Sequence, residues 1–306
     1  MAGWIVYNGF WNASGPSDPV RRLQAAGRDR GVELKPVPNT ALTAAFDSGV
    51  QVMGMNRGDF ALFWDKDVRL AHAMEAAGVR LYNAADAVAL CDDKAATHLA
   101  LASCPDPVPM PRTLVAPMTY VHMDEGPTAL FLRRAEEALG FPMVVKECFG
   151  SLGGQVYLAH DAQELRALAD GMAARPFIVQ QFVSATAGTD VRLYMVGGKL
   201  AAAMRRRSDT DFRANIGGGG HAETYVLTAR EVELAARCCR ILGLEIAGVD
   251  LLHDEMGQPL VCEVNSSAHM AGITACTGVD VAGVIVDYVL EREAARRSQG
   301  GAGVVD

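Results

Sequence analysis

No two of the seven cysteines in this 306-residue chain stand at Cys-x-x-Cys spacing, and most of them sit in apolar contexts. An odd number so placed argues against a zinc site or a disulfide framework, and residues 91, 104, 148, 238, 239, 262 and 276 read as reduced thiols of a cytoplasmic protein. Long uncharged apolar runs are missing too, which excludes a bilayer-spanning helix. No basic residue precedes Arg21 and Met1 to Tyr7 enters a strand at once, so no signal peptide is expected. Positive charge is short: 28 Lys and Arg against 36 Asp and Glu give a formal net charge of -8, which argues against a nucleic-acid or anionic-membrane partner. There is no internal repeat, no Walker A spacing, and no Ser/His/Asp or Cys/His pattern for nucleophilic catalysis. What remains is a half-apolar globular chain long enough to bury more than one core.

The most informative segment lies near the C-terminus. Gly248 to Leu252 and Leu260 to Asn265 alternate as two strands around a Glu255-Met256-Gly257-Gln258 loop. That loop pairs Leu252 with Val261 and sets Asp250 across from Glu263, with Asn265 on the same face. Val249, Leu251, Cys262 and Val264 then face a core. Two carboxylates and an amide, without sulfur or imidazole, suit a hard cation, magnesium first and manganese second. Magnesium shares phosphate oxygens, so a nucleotide is expected here. The same pattern also fits a hairpin with a polar outer face.

Upstream, Gly197-Gly198 turns the strand Val191 to Val196 into Lys199 to Met204, whose end is Arg205-Arg206-Arg207. Arg206 is the candidate catalytic group of that run; a solvated basic face is the other reading. In Asp211-Phe212-Arg213-Ala214-Asn215-Ile216, polar residues alternate while Phe212 and Ile216 can anchor the segment, which sets Arg213 apart from the run above. Gly217 to Gly220 follow, either admitting a close backbone approach or forming a mobile loop. A strand from Phe141 to Lys146 leads into Gly150-Ser151-Leu152-Gly153-Gly154 and a second strand, Gln155 to Ala159. Backbone N–H groups of such a loop can cap phosphate oxygens beside the Lys146 charge, although an isolated glycine loop is more often a plain turn. Lys94 opens a helix, and taken alone is a surface lysine.

Together these motifs resemble the ATP-grasp superfamily, specifically its RimK-like amino-acid ligases. There an Asp-x-Arg strand (Asp190 to Arg192), an Asp-Phe-Arg-x-Asn loop and a Gly-Val-Asp…Glu-Val-Asn hairpin occur in this order. The match is dense from Lys94 to Ser267. The resemblance implies that Lys94, Lys146 and the Gly150, Ser151, Gly153, Gly154 loop hold the phosphates of ATP, with Arg213, Ala214 and Asn215 beside them. Backbone groups of Gln181, Phe182 and Val183 would read adenine, and Asp190 would accept from the ribose. Asp250, Glu263 and Asn265 would hold two magnesium ions, Glu263 bridging. Arg213, Asn215 and Arg206 are the catalytic candidates. The implied reaction joins a carboxylate and an amine through an acyl phosphate, adding glutamate or another amino acid to a protein, peptide, carrier or cofactor. A phosphotransferase or a non-catalytic nucleotide-binding module is the alternative. Where relatives continue Ser/Ala-Pro-Gly after the asparagine, this chain has Ser266-Ser267-Ala268-His269. Relatives usually self-associate, so a homo-oligomer is expected.

The expected fold is α/β in three lobes. Residues 1–111 form a pre-ATP-grasp domain with an open parallel sheet and a Pro-rich linker, Pro105 to Pro111. Residues 112–183 form the lid and 184–298 the catalytic lobe, with 299–306 a Gly-rich tail. Capping boxes are predicted at Asp161/Glu164 and Thr228/Glu231.

Overall fold

The computed structural model describes residues 2–10, 16–55, 60–119, 126–151, 153–215 and 219–300. Leu152, Ile216 to Gly218 and the tail beyond 300, each part of an expectation above, lie outside them. The N-terminal segment forms β1 (Ala2–Tyr7), α1 (Asp18–Asp29), β2 (Glu33–Pro38), a hairpin of β3 (Thr43–Phe46) and β4 (Val50–Met53), β5 (Phe60–Trp64), α2 (Val68–Ala76), β6 (Arg80–Tyr82), α3 (Ala85–Asp92) and α4 (Lys94–Ala102). Strands β2-β1-β5-β6 form a parallel sheet. Every residue of β5, Phe-Ala-Leu-Phe-Trp, is buried, as a central parallel strand covered on both faces requires. The β3/β4 hairpin was not foreseen: its strands are four residues each and largely exposed or half-exposed.

The segment expected to form the lid holds β7 (Thr113–Val115), α5 (Gly126–Leu139), β8 (Met143–Glu147), β9 (Val156–Ala159), α6 (Ala162–Met172) and β10 (Phe177–Gln181), with the antiparallel order β7-β10-β8-β9. Asp161 caps α6 by accepting from Gln163 and Glu164 N–H, but Glu164 accepts from His160 N instead of Asp161 N, so the expected box is half formed. The third lobe comprises β11 (Thr189–Val196), β12 (Lys199–Arg207), β13 (His221–Thr224), α7 (Ala229–Leu242), β14 (Ile246–His253), β15 (Pro259–Asn265), α8 (Ala271–Thr277) and α9 (Val281–Gly300). Its antiparallel sheet has the order β13-β12-β11-β14-β15. Thr228 and Glu231 do form a complete capping box on α7.

Alternation along this sheet decides what each face does. Val191, Leu193, Met195, Val249, Leu251, Val261 and Val264 pack on α7 in one core. The opposite face carries polar groups over the site and, farther along, Tyr194 and Val196, which join β1 and α9 in a second core. The Pro-rich linker is part of this packing: Val108 is buried, and Val261 N–H donates to Pro109 O at 2.8 Å. Among the described residues no single helix is long and apolar enough to cross a membrane.

Candidate active site

Asp250 and Glu263 are direct partners across β14 and β15, as the alternation requires. The register slips immediately after them, so that Leu251 pairs with Val261 and Leu252 with Leu260, and Cys262 is the extra residue. The Leu252–Val261 pairing expected from loop length is therefore off by one. A bulge places two successive side chains on one side. Cys262 accordingly faces the site, not the core: Lys146 Nζ lies 3.7 Å from its sulfur. Burial pushes the Cys262 thiol up, against the lowering charge of Lys146.

The sheet register also decides the arginines. Arg192 stands opposite Asp250, and Arg206 opposite Asp190. Arg192 donates to both Asp250 oxygens at 2.7 and 2.6 Å, and Arg206 to both Asp190 oxygens at 2.6 Å each. Arg206 Nη2 also lies 2.9 Å from Asp250 Oδ2, joining the four groups into one buried quartet. Its flanking residues point away: Arg205 pairs with Glu223 and Arg207 with Asp209 at the surface. The solvated-face reading thus holds for Arg205 and Arg207 and fails for Arg206. Burial alone would raise the Asp250 carboxyl, but the charges and bonds of Arg192 and Arg206 outweigh it and hold it at about 2. Asp190 is pushed up by burial, with Arg206 opposing. Asp190, assigned to the ribose, therefore has both oxygens already engaged by an arginine.

The lid contributes the opposite wall. Lys146 is buried at the end of β8, where alternation and a fully buried strand leave its ammonium only the cavity. Lys94 Nζ is 3.4 Å from Glu263 Oε1, and its own N–H donates to Cys148 O, so α4 starts against the lid. Arg213 is held by Asp211 at 2.7 Å and donates to Gly153 O at 2.7 Å and Val156 O at 3.2 Å. Gly153 has φ +73, and a Cβ there would lie 2.6 Å from Asn215 Nδ2. Among the glycines of this loop it is the one that combines a positive φ with a close approach.

Two cavities meet at these residues. A narrow slot is lined by Val144, Lys146, Gln180 to Val183, Asp190, Phe212, Leu252 and Cys262. A broader cavity of about 630 Å³ is lined by Lys66, Asp92, Arg192, Asp211 and Asn265 to His269. Lys94, Gly150, Ser151, Gly153, Arg206, Arg213, Asn215 and Glu263 line both, and Ala214 and Gly154 border one each. Phosphate-binding and metal-binding candidates thus occupy the junction of two chambers.

Gln181 N–H donates to Arg112 O at 2.8 Å and its exposed side chain accepts from Arg112 N, so of its backbone groups the N–H is already committed. Gln180 also reaches the slot and was not singled out from the sequence. It is buried, and its Nε2 donates to Thr113 Oγ1 at 2.9 Å and lies 3.0 Å from His98 Nε2. With Nε2 engaged twice, Oε1 is the end left as an acceptor. His98 Nδ1 is 2.7 Å from Lys94 O, which fixes the neutral tautomer with Nδ1 as donor. Burial, with the charges of Lys146 and Lys94, lowers its pKa to about 4. The signal that could have found Gln180 is its place in a strand otherwise buried throughout, Phe-Ile-Val-Gln, where a polar side chain needs a partner.

The donor set fits a hard cation. Glu263 is part-exposed at the junction, and Asn265 Nδ2 is buried without a hydrogen-bond partner; a cation would take the other, carbonyl end of that amide. Asp250 accepts three arginine bonds, which leaves one of about four lone-pair positions on its carboxylate. It is the most heavily committed of the three, and can serve a metal through one oxygen only.

The family model of the RimK-like ATP-grasp domain matches residues 91–289. The chain is 32% identical over 211 residues to an uncharacterised MG012 homologue of Mycoplasma pneumoniae, covering 68% of this chain and 72% of that one. It is 40% identical over 164 residues to a probable alpha-L-glutamate ligase of Aliivibrio fischeri, covering 52% and 54%. The chain thus aligns with about half the length of that ligase. Among solved structures, a RimK-domain ATP-grasp protein of Sphaerobacter thermophilus superimposes with a TM-score of 0.71 at 24% identity, covering 94% of this chain and 99% of that one. The chain belongs to the RimK-like ATP-grasp family. It is an enzyme of the ATP-grasp ligase class, whose members use ATP and magnesium to join carboxylates to amines.

Proposed function

We propose that the chain is a cytoplasmic amino-acid ligase that forms an amide through an acyl phosphate. The supporting observation is the junction itself: the cationic and carboxylate groups suited to a triphosphate and its metal lie between a narrow slot and a second, broader chamber. ATP in the slot has Gln180 Oε1 as an acceptor for the adenine amino group. Lys94, Lys146 and the Gly150 to Gly154 loop bind its phosphates, and Asp190 shares its remaining acceptor capacity with the ribose. Asp250, Glu263 and Asn265 would hold two magnesium ions, which when bound draw charge off the β- and γ-phosphate oxygens. A substrate carboxylate from the broader chamber attacks the γ-phosphorus, ADP leaves, and an amine displaces phosphate from the acyl phosphate. Arg213 sits where charge develops on the transferring phosphoryl group and Asn215 orients it; Arg206 fixes Asp250 and Asp190.

Glutamate is the first substrate choice, since the alpha-L-glutamate ligase relatives share this domain. The acceptor is a protein or peptide terminus, a carrier or a small molecule, and the enzyme works as a homo-oligomer. ADP release measured with candidate carboxylates, with and without a panel of amines, tests the reading. A ligase requires both substrates; release with the carboxylate alone makes it a phosphotransferase, and no release under any combination leaves a binding module.

A further inference from the structure

The broader chamber holds five cations among its described lining, and four are already committed to the chemistry of the junction. Arg192, Arg206 and Arg213 are each clamped by a carboxylate through two donors, and Lys94 lies against Glu263. Lys66 is different. It comes from the loop after β5, outside the lid and the catalytic lobe. Its Nζ contacts Asp92 Oδ1 at 2.5 Å and donates to Gly150 O at 3.2 Å. Of three N–H donors, one is therefore uncommitted, and a second is lent to a backbone carbonyl of the phosphate loop. Its side chain is 37% exposed, so an anion entering the chamber can reach it.

The chamber also has surplus donors. Ser267 Oγ and Asn265 Nδ2 are buried without a hydrogen-bond partner, and a buried polar group left so costs free energy unless a ligand completes it. Their loop is held in place: Tyr194 Oη donates to Ala268 O at 3.0 Å and Asn83 Nδ2 to Ser266 O at 3.0 Å. His269 adds no charge, because burial and then the Arg192 charge lower its pKa. Fixed donors and a partly free ammonium favour an acceptor-only, anionic group.

We propose that Lys66 is a specificity-determining residue, and that it binds a carboxylate of the amino-acid substrate that takes no part in bond formation. The inference rests on the ligase reading and adds which part of the substrate the N-terminal domain reads.

The test uses the full chain saturated with magnesium and ADP, titrated calorimetrically with the twenty L-amino acids and their α-amides. The wild type is expected to bind at least one free acid at least tenfold more tightly than its amide, the span of one charge-assisted bond. Lys66→Gln is expected to remove that preference and Lys66→Arg to retain most of it, with the ADP-induced thermal shift reporting that each variant is folded. Equal binding of acid and amide, a preference that survives in Lys66→Gln, or no amino acid bound at all would each overturn the proposal. ADP release that still requires a carboxylate and an amine, whatever Lys66 does, would leave the ligase reading standing.

Discussion

Replacing Arg206 with methionine isolates the buried quartet beneath the reaction centre. The substitution keeps the length of the side chain and removes its charge. Asp250 retains Arg192 at 2.6 and 2.7 Å, but Asp190 loses both of its 2.6 Å bonds while its side chain stays about one-tenth exposed. Breaking a buried pair by removing one partner costs about 3–5 kcal/mol, because the survivor must stay ionised without a counter-charge or take a proton. We expect a loss in that range in urea unfolding at pH 7. The sign with pH follows from Asp190. Burial already raises its carboxyl, and losing Arg206 raises it further, so the penalty is full above the raised pKa. As pH falls through that value the folded variant binds a proton the unfolded chain does not, and the deficit shrinks by about 1.4 kcal/mol per pH unit. The double variant Asp190→Asn, Arg206→Met should recover most of the loss. A penalty below about 1 kcal/mol, or one that grows on acidification, would refute the coupling.

Three further outcomes are expected. Gln180→Leu removes the acceptor aimed into the slot, and should raise the KM for ATP roughly ten- to a hundredfold and erase preference for ATP over GTP in initial-rate assays. Gly153→Ala brings a Cβ to 2.6 Å from Asn215 at φ +73, and should cost about 1–2 kcal/mol in thermal unfolding and at least tenfold in turnover. His98 should titrate near pH 4 by NMR; with a lowered folded pKa its contribution is complete above about 6.5 and lost as pH falls towards 4, about 3 kcal/mol in all.

Alternation made the centre of the site legible. Asp250 and Glu263 could be paired from sequence because strand residues two apart share a face; the same alternation, seen in the structure, turns Arg206 inward and Arg205 and Arg207 out. The bulge at Cys262 could not be read, since loop length does not say which residue a ladder omits. Nor could the commitment of Asp190 and Asp250 to arginines, which depends on the register of three strands far apart in sequence. Gln180, His98 and Lys66 were silent for a related reason. Each acquires its role from partners on other elements: Thr113 and Lys94 for the first two, Asp92 and Gly150 for Lys66. The N-terminal sheet was visible in its alternation of strands and helices, whereas the Thr43 to Met53 hairpin lies outside that alternation.

The central claim is that a substrate carboxylate, not water, attacks the γ-phosphate. Turnover of a carboxylate substrate labelled with oxygen-18 in its carboxyl group, with mass analysis of the released phosphate, tests it directly. The account requires one labelled oxygen in each phosphate formed, carried there through the acyl phosphate; unlabelled phosphate released alongside ADP would contradict it.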